Sequence, residues 1–122
     1  MRRGISTTIA ACLAGTGALF MQQAQAQAWP NKPVRLISTY AAGGPVDLTG
    51  QPVAQGLSKL LGQRVFIEHR PGANGNIGGL YVVKSAPDGY TILITSTSQL
   101  TINPSLYPDM PFDTAKDLLP IT

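Results

Sequence analysis

Cysteine is nearly absent from these 122 residues: there is one, Cys12. Histidine and tryptophan also occur once each, as His69 and Trp29. Cys12 sits in "MRRGISTTIAACLAGTGALFMQQAQAQA", which has the three parts of a secretory signal: a basic start, an apolar run and small residues in an Ala-x-Ala pattern. Arg2 and Arg3 are the basic start, and cleavage is expected after Ala26 or Ala28. The apolar run, Ile5 to Met21, has only 17 residues and is diluted by Ser, Thr and Gly. A membrane span needs about 20 predominantly apolar residues, so an anchor is the poorer reading. The paired arginines fit either the general or the twin-arginine export route. Ile9-Ala10-Ala11 before Cys12 resembles a lipoprotein box, but the apolar run continues well past it. Cys12 is therefore expected to leave with the signal. The exported chain then has no disulfide and no thiol chemistry, and its core must hold it together.

Acidic residues are also few. There are six, against nine basic residues, for a net charge of +3. Arg2 and Arg3 supply two of those charges, and without them seven basic residues face six acidic ones. That leaves no basic stripe of the kind nucleic-acid binding needs. A single histidine excludes a multi-histidine metal site, and the missing thiol excludes a cysteine nucleophile. Composition leaves a Ser–His–Asp set open, but no Gly-x-Ser-x-Gly elbow supports one. No Gly-Lys pair exists, so there is no phosphate-binding P-loop. In "GANGNIGG" the glycines fall at 72, 75, 78 and 79, which breaks the dinucleotide spacing. Neither a cofactor nor a metal is expected.

The remainder, residues 27–122, alternates strand and helix signals. "WPNKP" is an extended lead-in, since its prolines block a helix. Val34 to Thr39 is an apolar strand run. Val53, Leu57, Leu60 and Leu61 have helical spacing, with Gly62 as the stop. Pro52 lacks a helical donor, so this helix is expected to start or kink near Gln51. Arg64 to Glu68 is a second strand, Ile77 to Ser85 a second helix, and Tyr90 to Thr95 a third strand after the Pro87-Asp88-Gly89 turn. "STSQLTINPSLYPDMPF" is a polar, proline-broken connection. Asp113 is placed to cap a short helical turn over 114–118. "LPIT" looks like the beginning of a further strand. The order predicts an α/β fold with a parallel sheet and helical crossovers. It reads as the front part of a larger domain.

Three loops follow the three strands: Tyr40–Asp47, His69–Asn76 and Ser96–Asn103. In a parallel sheet they share one edge, where ligands bind. All are rich in Gly, Ser, Thr and Asn. Helix starts favour an anion there through free N–H groups and the helix dipole. With the phosphate motifs missing, a carboxylate suits these loops better. Asp47 has two readings, as a ligand contact or as a first-turn carboxylate complementing the dipole. Arg70 either pairs with a ligand or with Glu68. His69 reads as a polar loop residue, and Asn103 as a turn residue and a weaker ligand candidate.

"WPNKPVRLISTYAAGGPVDLTG", "LGQRVFIEHRPGANGNIGG", "APDGYTILI" and "INPSLYPDMPFD" closely resemble the substrate-binding receptors of tripartite tricarboxylate transporters, the Bug family. The resemblance runs from Trp29 to Thr122. It implies that residues 27–122 are the N-terminal part of the first, incomplete lobe of a two-lobe periplasmic binding protein. It implies a small organic carboxylate as ligand (a di- or tricarboxylate, amino acid or aromatic acid), membrane transporter subunits as partners and a monomer. Ligand contacts would then lie on Tyr40, Ala41, Gly43, Gly44 and Asp47. Further contacts would come from Gly72, Ala73, Asn74, Gly75 and Asn76, and from Ser96, Thr97 and Ser98. Two departures stand out. The family's usual Ala-Arg in the first helix is Thr49-Gly50 here, and its Glu-Asn-Arg-Pro-Gly is Glu68-His69-Arg70-Pro71-Gly72. Against the receptor reading stand an exported α/β enzyme or cofactor-binding domain, and a truncated remnant without function.

Overall fold

The computed structural model describes residues 28–121. The signal segment of residues 1–26 lies outside the described residues. Three strands, β1 (Val34–Ser38), β2 (Val65–His69) and β3 (Thr91–Ile94), form one sheet. Its order is β2-β1-β3, and both pairings are parallel. β1 is central because its side chains are apolar on both faces: Val34 and Ile37 are fully buried, and Leu36 nearly so. Each such side chain contributes about 1.5–3 kcal/mol relative to exposure.

Helix α1 (Pro45–Leu61) connects β1 to β2, and α2 (Asn76–Val83) connects β2 to β3. Parallel crossovers are right-handed, and these two run in opposite directions across the sheet, so the helices cover opposite faces. The alternation along β1 agrees. Val34 and Leu36 pack with Ala54, Leu57 and Leu61 of α1, together with Val65, Ile67, Ile92 and Ile94. On the other face Arg35 donates to the Tyr81 hydroxyl of α2 at 2.5 Å. Beyond α2, Phe112 is buried against Gly79, where a Cβ would meet its Cζ at 2.6 Å.

Several sequence expectations need correction. α1 runs unbroken through Pro52, with Pro45 in its first turn and Gly62 left-handed at its end. The hydrogen bond Pro52 forgoes would have gone to Leu48, which is 80% exposed, so water can take its place. The proline-broken connection after β3 contains two short helices, α3 (Thr97–Thr101) and α4 (Asn103–Leu106). Asp113 does cap, its Oδ1 accepting from the N–H groups of Ala115 and Lys116, but what it caps is a turn and not a helix. Residues 118–121 form no strand. Among the described residues no helix is long and apolar enough to cross a membrane.

Candidate functional site

The chain leaves β1 toward β2 on one side and returns to β3 on the other. The C-terminal ends of β1 and β3 therefore flank a topological switch point, the place where open α/β sheets bind ligands. All three predicted loops begin at this edge. His69 is not in a loop: it closes β2, paired with Ser38.

The β1 loop turns tightly into α1. Gly44 N–H donates to Ala41 O at 3.2 Å, and Gly44 is the N-cap without a side-chain cap bond. Asp47 Oδ2 accepts from Gly43 N–H at 2.6 Å. This is the dipole-complementing role, and it turns the carboxylate onto its own loop. Asp47 Oδ1 is buried without a hydrogen-bond partner. His69 Nδ1 lies 3.0 Å from Tyr40 O. A carbonyl only accepts, so Nδ1 carries the proton. His69 Nε2 stands 3.7 Å from Asp47 Oδ2. His69 thus ties the end of β2 to the β1 turn.

The β3 loop meets the β1 loop through hydroxyls. Tyr40 Oη and Ser96 Oγ are 2.6 Å apart, and Ser96 Oγ and Ser98 Oγ are also 2.6 Å apart. Three hydroxyls supply three protons, and two mutual bonds use two of them. One proton is left for an acceptor outside the set. Thr97, between these serines, is exposed, and its carbonyl accepts from Thr101.

The β2 loop contributes backbone. Gly72, Ala73, Asn74 and Gly75 all have positive φ, ending in one 3-10 turn, Ala73–Gly75. The side chains of Asn74 and Asn76 are both bonded to Asn103. Asn103 Oδ1 accepts from Asn74 Nδ2 at 2.6 Å, and Asn103 Nδ2 donates to Asn76 Oδ1 at 2.8 Å. Sequence reasoning passed over Gln99 and ranked Asn103 low, although both are fully buried here. Their polar character inside a segment with no apolar periodicity was the available signal.

Among the described residues no arginine or lysine side chain joins the hydroxyl set or the loop amides. Arg70 donates from Nε and Nη2 to Glu68 Oε1, at 2.7 and 2.6 Å, and stacks 3.6 Å from the Tyr81 ring centroid. Nor, among the described residues, could any group of His, Cys, Asp or Glu hold a metal ion. Two grooves, of about 510 and 330 Å³, lie beside α4 and the prolines that follow it. They are not at the switch point, and only the smaller touches a site loop, at Ala73 and Asn76. The hydrogen-bonding geometry of the loops is the better guide to chemistry. What the edge offers is hydroxyl and N–H donors around a helix start, suited to a small anion.

Comparison with known proteins agrees with this fold. Residues 50–122 match the model described as "Tripartite tricarboxylate transporter family receptor". A UPF0065 protein of Bordetella bronchiseptica is 44% identical over 104 residues, 85% of this chain and 31% of that protein. Among solved structures, MatC from Rhodopseudomonas palustris with bound malate is similar at a TM-score of 0.73 and 29% identity, covering 76% of this chain and 32% of that one. Rpa4515 of R. palustris with adipate is similar at 0.61 and 35%, covering 71% and 29%. The chain thus spans about a third of the length of these relatives. Its parallel sheet with helical crossovers resembles one lobe of a periplasmic binding protein. The chain belongs to the receptor family of the tripartite tricarboxylate transporters.

Proposed function

We propose that this chain is the ligand-contacting front part of a periplasmic receptor for a small organic carboxylate. The receptor delivers that acid to membrane transporter subunits and acts as a monomer. It reaches the periplasm through the N-terminal signal and carries no catalytic group. The observation that supports this reading most is the hydroxyl set of Tyr40, Ser96 and Ser98 at the β1/β3 switch point, with one proton unused. The start of α1 adds its dipole beside it. Relatives solved with malate and with adipate favour a dicarboxylate over a monoacid.

The test begins with the coding DNA beyond the Thr122 codon, which defines the full product. Calorimetry of that product with citrate, malate, adipate, glutamate and nicotinate should give micromolar binding for at least one acid. Absence of binding to all five would sink the reading. Copurification of a nucleotide or flavin would replace it with a cofactor-binding domain.

A further inference from the structure

We propose that Gln99 and Asn103 are positioning residues that hold the Gly72–Asn76 loop as a two-donor backbone cradle for one end of the carboxylate. The inference rests on the receptor reading and adds to it the residues that set the cradle's shape.

The loop is held in a conformation it would not choose. Ala73 and Asn74 have φ of 46° and 52°, in the left-handed region unfavourable to residues with a Cβ. Such geometry persists only where the surroundings over-determine it. Here the surroundings are two buried amides reaching across from beyond β3. Gln99, 2% exposed, donates from Nε2 to Gly75 O at 2.5 Å. Asn103, fully buried, donates to Asn74 O at 3.0 Å as well as to Asn76 Oδ1. Its oxygen accepts from Asn74, so its amide is fully used on this one loop.

Gln99 also connects the other two strand ends. Thr95 Oγ1 donates to Gln99 Oε1, which uses the Thr95 proton. The 2.8 Å contact between Thr39 and Thr95 must then be donated by Thr39. A directed relay, Thr39 to Thr95 to Gln99 to Gly75, joins the ends of β1 and β3 to the β2 loop.

The consequence is an outward pair of donors. Gly72 O accepts from Gly75 N–H, and Ala73 O accepts from Asn76 N–H. In a trans peptide the N–H of the next residue points opposite to the carbonyl. The N–H groups of Ala73 and Asn74 therefore point away from the loop's own acceptors, and both residues are exposed. Two adjacent N–H groups match the two oxygens of a carboxylate, as in backbone anion nests.

The experiment uses Gln99→Glu and Gln99→Leu in the full chain, read by amide hydrogen exchange and by malate calorimetry. Deprotonated Glu keeps an acceptor for Thr95 but loses the donor to Gly75. Protonated Glu regains it, and burial favours the protonated form. At about pH 9 both variants should exchange the Gly75 and Asn76 amides at least ten-fold faster than wild type, relative to amides in α1. At about pH 5 the Glu variant should recover to within about three-fold, and the Leu variant should not. Malate affinity should follow the same pattern. Equal exchange in both variants and wild type, or no recovery of the Glu variant, would overturn the proposal. If Gln99→Leu does not fold, Asn103→Asp is compared across pH in its place. If wild type binds no acid, the receptor reading fails, and the exchange data still decide whether the amides position the loop.

Discussion

Two glycine-to-alanine changes in this chain should move stability in opposite directions. Gly56 lies inside α1, and a Cβ there meets nothing within 4 Å. Alanine at a helix interior is favoured over glycine by roughly 0.5–1 kcal/mol. Gly75 has φ +90°, and its Cβ would stand 2.8 Å from both Cδ and Oε1 of Gln99. A left-handed backbone costs a residue with a Cβ roughly 1–2 kcal/mol. Gln99 cannot swing aside cheaply, because both ends of its amide are bonded. Moving it strands the buried Gly75 carbonyl, at a further cost of about 1–3 kcal/mol. Gly75→Ala should therefore lose about 2–5 kcal/mol. Equilibrium urea unfolding of both variants and wild type measures this, and the shared reference cancels uncertainty in the unfolded state. If Gly75→Ala unfolds within about 0.5 kcal/mol of wild type, or later than it, the clamp between Gln99 and the loop does not exist as described.

Other expectations follow from single contacts. Tyr40→Phe removes one hydroxyl of the set shared with Ser96 and Ser98; carboxylate affinity by calorimetry should fall roughly three- to ten-fold, the equivalent of about 0.5–1.5 kcal/mol. Arg70→Ala loses a partly exposed pair with Glu68 and a stacking contact on Tyr81, which should cost about 1 kcal/mol in thermal unfolding and leave carboxylate affinity unchanged. Acid should destabilise the fold through two exposed carboxylates. The Tyr90 N–H holds the Asp88 carboxyl below its ordinary 3.8, and the Lys116 side chain does so for Asp113. Their contribution is present above pH 3.8 and is lost as pH falls through the lower folded values, so Asp88→Asn and Asp113→Asn should each flatten the acid limb of a melting-temperature profile. Lys116, raised above 10.5 by Asp113, gives the mirror effect: its contribution is complete below 10.5 and lost on further alkalinisation.

The sheet was legible because its signal is local. "VRLIS", "VFIEH" and "TILI" are largely apolar runs between turn residues, and β1, the central strand, is buried on both faces as that pattern demands. The placement of three loops on one edge followed from strand–helix alternation alone. Pro52 misled because its cost depends on whether the orphaned carbonyl faces water, which a sequence does not display. α3 and α4 were missed for a related reason. Leu100 and Leu106 in these helices and Ile102 between them are exposed, and their buried residues Gln99 and Asn103 are polar, so hydrophobic periodicity inverts there. Those buried amides serve a loop 24 to 29 residues earlier in the chain. Nor does a sequence display that the side chains of Asn74 and Asn76 are bonded to Asn103.

That no cation joins these donors among the described residues has a consequence for how an anion would be held. An ion pair with a fixed arginine persists in part even in water, whereas hydroxyls and N–H dipoles compete with water on nearly equal terms. Asp47, in the first turn of α1, adds a like charge that a bound carboxylate would have to tolerate. The attraction here therefore depends strongly on the medium. Electrostatic interactions scale inversely with effective dielectric, and covering the edge from bulk water raises them roughly four-fold. The open edge would hold an acid weakly, and a covered edge would hold it well. For the receptor proposed above, capture and release would then be two states of solvent access to the same donors. In the receptor proposed above, Tyr40, Ser96 and the loop bonded to Gln99 would supply that dependence through neutral donors, without any group that must change charge.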